Sequence, residues 1–302
     1  MTGKEKALSI IKQHKKDAEN IYRERLELLS SDEVFDVLFR KSCILKWDYV
    51  KAKTEKECNE ISKKIETIEN EINEYISNKG LPVNWLSIPY SCELCNDSGF
   101  KDGKECICVE RKRIETELID NPLLKNVPSG LKKINYSYYG EESPMKKNCA
   151  STIQKGMKSG KTIFLIAGKT GTAKTYIASA AVRGELEKGK SVLALSSVKL
   201  GKKFLEYHCS PIESKTAKFN ALTDPDVLLI DDLGAEQMLN NVTVPYLIEL
   251  LTERAENKMT FITTNLSPAD LENRYGQRVL SRILDKNLSL PIALGGKDLR
   301  IY

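Results

Sequence analysis

One stretch limits the possible folds more than any other. Residues 162–167 (Thr-Ile-Phe-Leu-Ile-Ala) read as a buried strand and run straight into Gly168-Lys-Thr-Gly-Thr-Ala-Lys174-Thr175. A helix is predicted from about 174 to 188, with Gly189 as its stop. Strand, glycine-bearing loop, Lys-Thr and helix, in that order, is the context of a phosphate-binding loop, and it calls for a parallel α/β sheet. The first N–H groups of a helix have no acceptors of their own, so with the loop N–H groups they face an anion. Gly168, Lys169, Thr170, Gly171, Thr172 and Ala173 are expected to form the cradle. Lys174 would reach the β and γ phosphates, and Thr175 would set its hydroxyl on Mg²⁺. Ala173 stands where the pattern asks for glycine, and a Cβ there strains the turn or crowds the phosphate. Nucleotide binding is therefore expected to be weakened but not abolished.

Further along, Asp226-Val-Leu-Leu-Ile-Asp231-Asp232-Leu-Gly234 is an apolar strand ending in two acids. After a phosphate loop this reads as the strand that brings a carboxylate to Mg²⁺ (Asp231) and a second one to the attacking water (Asp232). Asp232 is shorter than the glutamate more often found there. Thr260-Phe-Ile-Thr-Thr264-Asn265 is another short strand, and Asn265 is placed to orient the water. Near the end, Arg278 and Arg282 stand four residues apart and share one helical face. They are either a solvated basic face or an arginine finger aimed at a neighbouring subunit's nucleotide. Arg300 is a candidate second phosphate sensor.

Four of the eight cysteines fall close together: Cys92-Glu-Leu-Cys95, ten residues, then Cys106-Ile-Cys108. Two close pairs joined by a hairpin with Gly99 and Gly103 can surround one tetrahedral ion, and four thiolates suit a structural zinc. An iron–sulfur cluster is the alternative. Zinc would fold a module too small for a core of its own.

The remaining organisation follows from periodicity. Residues 1–80 are expected to be helical, with a break at Ser30-Ser31-Asp32 and a heptad seam at Ile61, Ile65, Ile68, Ile72 and Tyr75. They form either a hairpin that packs on itself or a partner-binding module. The four-cysteine module takes 81–112, a Pro- and Gly-punctuated linker 113–145, and the α/β domain 146–302. No apolar run is long enough to span a bilayer, so no membrane partner and a cytoplasmic location are expected. The net charge of +5 permits nucleic-acid binding without requiring it. His14 and His208, the two histidines, lie far apart, which argues against a histidine metal site or a His-centred triad.

Taken together, these motifs resemble the AAA+ ATPases of the bacterial replicative helicase loader type, the DnaC/DnaI-like family. The resemblance is carried by 168–175, Leu-Leu-Ile-Asp-Asp-Leu-Gly at 228–234, Thr-Thr-Asn at 263–265, Arg-Val-Leu-Ser-Arg at 278–282 and the cysteine segment. It covers about 85–302. It implies an AAA+ core without the helical lid, an ATPase using ATP and Mg²⁺ with slow hydrolysis, and assembly into a ring or spiral. By position, Arg282 matches the family's finger, Arg278 the basic residue beside it and Arg300 the second sensor. It further implies single-stranded DNA binding by a helix after the second strand. Here that is 198–208, where Lys199, Lys202, Lys203, Phe204 and Tyr207 would track phosphates and stack on bases; an ordinary amphipathic helix would show the same pattern. The N-terminal region would contact a hexameric replicative DNA helicase. The other readings are a transposition-type regulator that binds duplex DNA, and a non-enzymatic adaptor with a weakened nucleotide site.

Overall fold

Contacts between residues sort the chain into two units, which divide between residues 112 and 113. The structure is a computed structural model that describes residues 3–82 and 84–299. No helix among the described residues is long and apolar enough to cross a membrane.

The first unit begins with three helices: α1 (Gly3–Ser30), α2 (Glu33–Lys51) and α3 (Glu55–Asn78). Asp32 caps α2 by accepting the Val34 and Phe35 N–H groups. The expected single break is in fact two. The second, at residues 52–54, lies in a charged stretch without proline or glycine. Its signal is a capping box, in which Thr54 accepts the Glu57 N–H while the Glu57 carboxylate accepts the Thr54 N–H. Leu29, Phe35, Ile72 and Ile76 form the small apolar core. Phe35 stacks on Phe39 at 5.6 Å and tilts against Tyr75 at 5.8 Å. Beyond the helices, the short strands β1 (Phe100–Lys101) and β2 (Lys104–Glu105) pair antiparallel across Asp102-Gly103. Both turn residues have positive φ, 52° and 72°, as a tight two-residue hairpin requires. The helix α4 (Ile107–Asp120) follows.

The second unit adds α5 (Ser143–Lys158), β3 (Ile163–Ala167), α6 (Lys174–Leu186), β4 (Val192–Ser196), α7 (Ser197–His208), α8 (Ile212–Thr223) and β5 (Val227–Leu233). It continues with α9 (Thr243–Arg254), β6 (Met259–Thr264), α10 (Pro268–Tyr275), α11 (Gln277–Ile283) and β7 (Ser289–Ala293). Among the described residues, five strands form one parallel sheet in the order β4-β5-β6-β3-β7. Near-continuous apolar strands such as Val227–Ile230 are buried on both faces, as parallel strands must be. Phe164 and Phe261 stack at 4.6 Å on adjacent strands. From β3 the chain crosses to β4 on one side, and β7 later adds on the other. That reversal opens a crevice at the strands' carboxyl ends, where such sheets take ligands. No helix follows β7 among the described residues.

Residues 113–145 are not the linker that their prolines and glycines suggested. Leu124, Leu131 and Ile134 are buried in the same core as Phe164 and Ile177. Between the end of α4 and the start of α5 the stretch folds as short 3₁₀ turns, which have no long period to detect. Polar pins hold it. Asn121 accepts the Ala194 N–H of edge strand β4 at 2.7 Å. Arg183 of α6 donates to the carbonyls of Leu124, Lys125 and Val127 at 2.8–3.0 Å.

Candidate functional site

The phosphate loop sits at the carboxyl end of β3 and leads into α6. Gly168 is required by close approach, since a Cβ there would lie 2.0 Å from the Leu294 carbonyl oxygen. Thr172 is buried and closes the loop by donating to the Lys169 carbonyl at 2.9 Å. Ala173, the N-cap of α6, adopts φ 69° and ψ 18°. This left-handed conformation is free for glycine and costs an L residue about 1 kcal/mol. The alanine is thus strained in the backbone itself.

Six side chains meet in front of this loop. The Lys174 ammonium is largely buried and donates to the Lys169 carbonyl at 2.7 Å and to Asn265 Oδ1 at 2.8 Å. The Thr175 hydroxyl donates to Asp231 Oδ1 at 2.7 Å, and Thr263 donates to the same oxygen at 2.7 Å. Asn265 Nδ2 donates to Asp232 Oδ1 at 2.6 Å. The two acids diverge because β5 carries a register shift between Ile230 and Leu233. Asp232 there takes φ 56°, and its N–H is held by Thr263 Oγ1 at 2.9 Å.

These groups line a cleft of about 470 Å³ whose other walls are Leu123, Val127, Tyr139, Tyr176 and Leu299. The polar end suits phosphates and the apolar end suits a flat ring. Burial pushes the Tyr139 phenol up to about 12, so that wall stays neutral. A second cleft of the same size, beside Gly130, Gln154 and Lys188, holds none of the phosphate-loop or paired-acid groups. Sequence reasoning missed Leu123, Val127 and Tyr139, which lie in the supposed linker. It also missed Lys146, a fully buried lysine that donates to the carbonyls of Thr172 (3.0 Å) and Gly295 (2.8 Å) and pairs with Glu142. Glu142 in turn accepts the Lys297 N–H, so the segment after β7 is fastened to the phosphate loop. One lysine of the Lys146-Lys147 pair in a polar stretch gave no signal of this.

In the first unit, the sulfurs of Cys92, Cys95, Cys106 and Cys108 all lie within 4.8 Å of one another. Cys92 and Cys106 are 3.8 Å apart, Cys95 and Cys108 3.5 Å. A tetrahedral zinc with bonds of about 2.3 Å separates its sulfurs by about 3.8 Å. The four-thiol set therefore fits such an ion. Burial and the surrounding sulfurs push the Cys108 thiol up, and a bound cation would offset that. Asp97 orients the knuckle by accepting the Ser91 and Cys92 N–H groups at 2.8 and 2.9 Å.

The profile of the family described as IstB-like ATP binding protein matches residues 133–290, more than half of the chain. The chain belongs to that family. This IstB-like protein is also 28% identical over 156 residues to the replicative helicase loader DnaI of Bacillus subtilis, covering 47% of this chain and 48% of the relative. It is 25% identical over 122 residues to the replicative helicase loader DnaC of Escherichia coli K12, covering 40% and 49%. The chain thus spans about half the length of these curated relatives. A solved structure of DnaI shares 24% identity and aligns with a TM-score of 0.44 over 59% of this chain and 93% of that one.

The remaining expected residues of the IstB-like unit fall outside the cleft. Arg278 and Arg282 sit on α11, exposed and half-buried respectively, and neither lines the cleft. Arg300 lies outside the described residues. On α7, Lys199, Lys202 and Lys203 are exposed. Phe204 is a correction. It is 1% exposed and packs in the core with Leu200, so it has no face to offer a base. Tyr207 is half-buried between Phe219 (5.0 Å) and Tyr246 (4.8 Å).

Proposed function

We propose that this chain is an ATP-driven loader of a hexameric replicative DNA helicase. The observation that carries the proposal is the convergence of Lys174, Thr175, Asp231, Asp232 and Asn265 in one cleft, within an ATP-binding family unit similar to two helicase loaders. Mg²⁺, held by the Thr175 hydroxyl and the Asp231 carboxylate, would neutralise charge between the β and γ phosphates. Lys174 exchanges its Lys169 and Asn265 partners for phosphate oxygens. Asp232 accepts a proton from the attacking water, and Asn265 orients that water. Arg282, with Arg278 beside it, stabilises the transition state in the neighbouring subunit of a ring or spiral, which accounts for their place away from their own cleft. Arg300 acts as the second sensor. With Ala173 strained, affinity and turnover are low, and ATP controls assembly and release.

The lysines of α7 track the phosphates of single-stranded DNA, without base stacking by Phe204. Zinc on the four cysteines holds a structural module, and the helices of the first unit contact the helicase. The protein works in the cytoplasm. The test is a loading assay. With ATP, the full chain should place helicase on circular single-stranded DNA, and Lys174→Ala and Asp231→Ala should lose that together with hydrolysis. Hydrolysis that survives both substitutions would remove the catalytic reading.

A second reading is a transposition-type regulator on duplex DNA. The IstB-like family match favours it. Fluorescence anisotropy separates the two: the loader binds a single-stranded oligonucleotide more tightly than its duplex, and the regulator does the reverse.

A further inference from the structure

Glu236 has no part in the chemistry described so far, yet it is a nearly buried carboxylate, 5% exposed. A buried charge survives only with strong partners, so where its hydrogen bonds go is informative. Its Oε2 accepts the Gly234 N–H at 3.0 Å, two residues beyond Asp232. Its Oε1 accepts the Tyr275 hydroxyl at the end of α10. Arg274 donates to its main-chain oxygen and sets its Nε 3.6 Å from the carboxylate.

These partners come from two places that chemistry must connect. The Asp232 to Gly234 turn is strained at Asp232, with φ 56°, and uses glycine's freedom at Gly234, with φ 113°. Such a turn persists only when its surroundings fix it. The Ser197 hydroxyl fixes it from the start of α7, by donating to the Asp232 carbonyl at 2.7 Å. Glu236 fixes it from the other side. Tyr275 precedes Gly276 (φ 82°), after which α11 begins and carries Arg278 and Arg282. Burial pushes the Glu236 carboxyl up, but hydrogen bonds from the Tyr275 hydroxyl, its own N–H, the Gly234 N–H and Ser197 together outweigh it and hold the group below the usual range. It is therefore an ionised clamp at neutral pH, and Tyr275 is its donor.

We infer that Glu236 is a positioning residue, whose carboxylate ties the Asp232 turn of one subunit to the arginine helix that the same subunit offers to its neighbour. The inference rests on the proposed action of Arg282 across the subunit boundary. Glu236 itself does not line the phosphate-loop cleft. With Ser197 still holding the Asp232 carbonyl, loss of Glu236 leaves binding and the Asp232 turn in place and misplaces α11, so the damage appears in the next subunit's turnover.

The test uses the full chain with Glu236→Ala, Glu236→Gln and Tyr275→Phe, measuring affinity for a fluorescent ATP analogue, KM and kcat. In Glu236→Ala, kcat is expected to fall about tenfold with affinity within about twofold of the parent. Glu236→Gln keeps the shape and loses less, and Tyr275→Phe follows it. Should Glu236→Ala fail to fold, these two conservative variants carry the test. Mixing then tests direction. Lys174→Ala subunits, inactive alone but with an intact Arg282, should restore hydrolysis to Glu236→Ala subunits, and Lys174→Ala/Arg282→Ala subunits should not. Unchanged kcat in every clamp variant overturns the inference. So does a loss that Lys174→Ala subunits leave uncorrected, or a loss of affinity in step with kcat. An Arg282→Ala protein as fast as the parent removes the finger reading beneath it, a separate failure seen without any Glu236 variant.

Discussion

Residues 92–108 gather four cysteine sulfurs and a buried aspartate around a hairpin of two-residue strands. The sheet of the second unit instead buries Phe164, Ile166, Leu229 and Phe261 between layers of helix. The first region is built around a four-thiol set suited to cross-linking by an ion. The second has a core large enough to hold strained backbone at its edge, at Ala173 and Asp232. A core that stable leaves the loops at the strand ends free to be shaped for ligand rather than for stability.

The contrast is sharpest where the cysteines are removed. Cys95→Ser, or chelation, should abolish about one zinc per chain and unfold the module, since structural zinc contributes on the order of 10 kcal/mol to such folds. Metal analysis with hydrogen exchange checks this, and ATP affinity should not move. In the sheet, Phe164→Ala should cost about 3–5 kcal/mol by leaving a cavity against Phe261, read by denaturant unfolding, with zinc content unchanged. If either change damaged both regions equally, the comparison would break.

Smaller effects sharpen it. Ala173→Gly should relieve a positive-φ residue, gain about 1 kcal/mol in stability and tighten ATP about fivefold by calorimetry. Unchanged affinity would mean that the strain is not felt by the phosphate. Last comes Glu185 of α6, 3% exposed. Burial pushes its carboxyl up, and Lys188 and Lys190 more than offset that and hold it low. A carboxyl lowered in the folded state contributes stability above its ordinary value of about 4.3 that is lost as pH falls through the folded value. Acid should therefore destabilise the parent more than Glu185→Gln, by up to about 1 kcal/mol, seen as a narrowing Tm difference below about pH 4.

How much of this was legible depended on what kind of rule each residue obeys. The phosphate loop, the paired acids and the cysteine pairs are fixed by local spacing, because one strand end or one hairpin must deliver them together. Residues 121–142 obey no period. Proline and glycine mark turns there, but nothing local says that Leu124, Leu131 and Ile134 face a core. Phe204 misled for a related reason. A helix with lysines and aromatics can offer either to DNA, and its i−4 partner Leu200, also buried, was the sign that this face turns inward. Lys146 and Glu236 are charged residues whose burial is decided wholly by tertiary packing.

Light scattering on a gel-filtration column tests the central claim most directly. The full chain is mixed with a candidate hexameric replicative helicase, with and without ATP and Mg²⁺. A helicase loader predicts co-elution at a mass above the bare hexamer, with ATP changing the stoichiometry in the parent and not in Lys174→Ala. No complex under any nucleotide condition, with tight binding of duplex DNA by the same preparation, would contradict the loader account and leave the transposition-type regulator in its place.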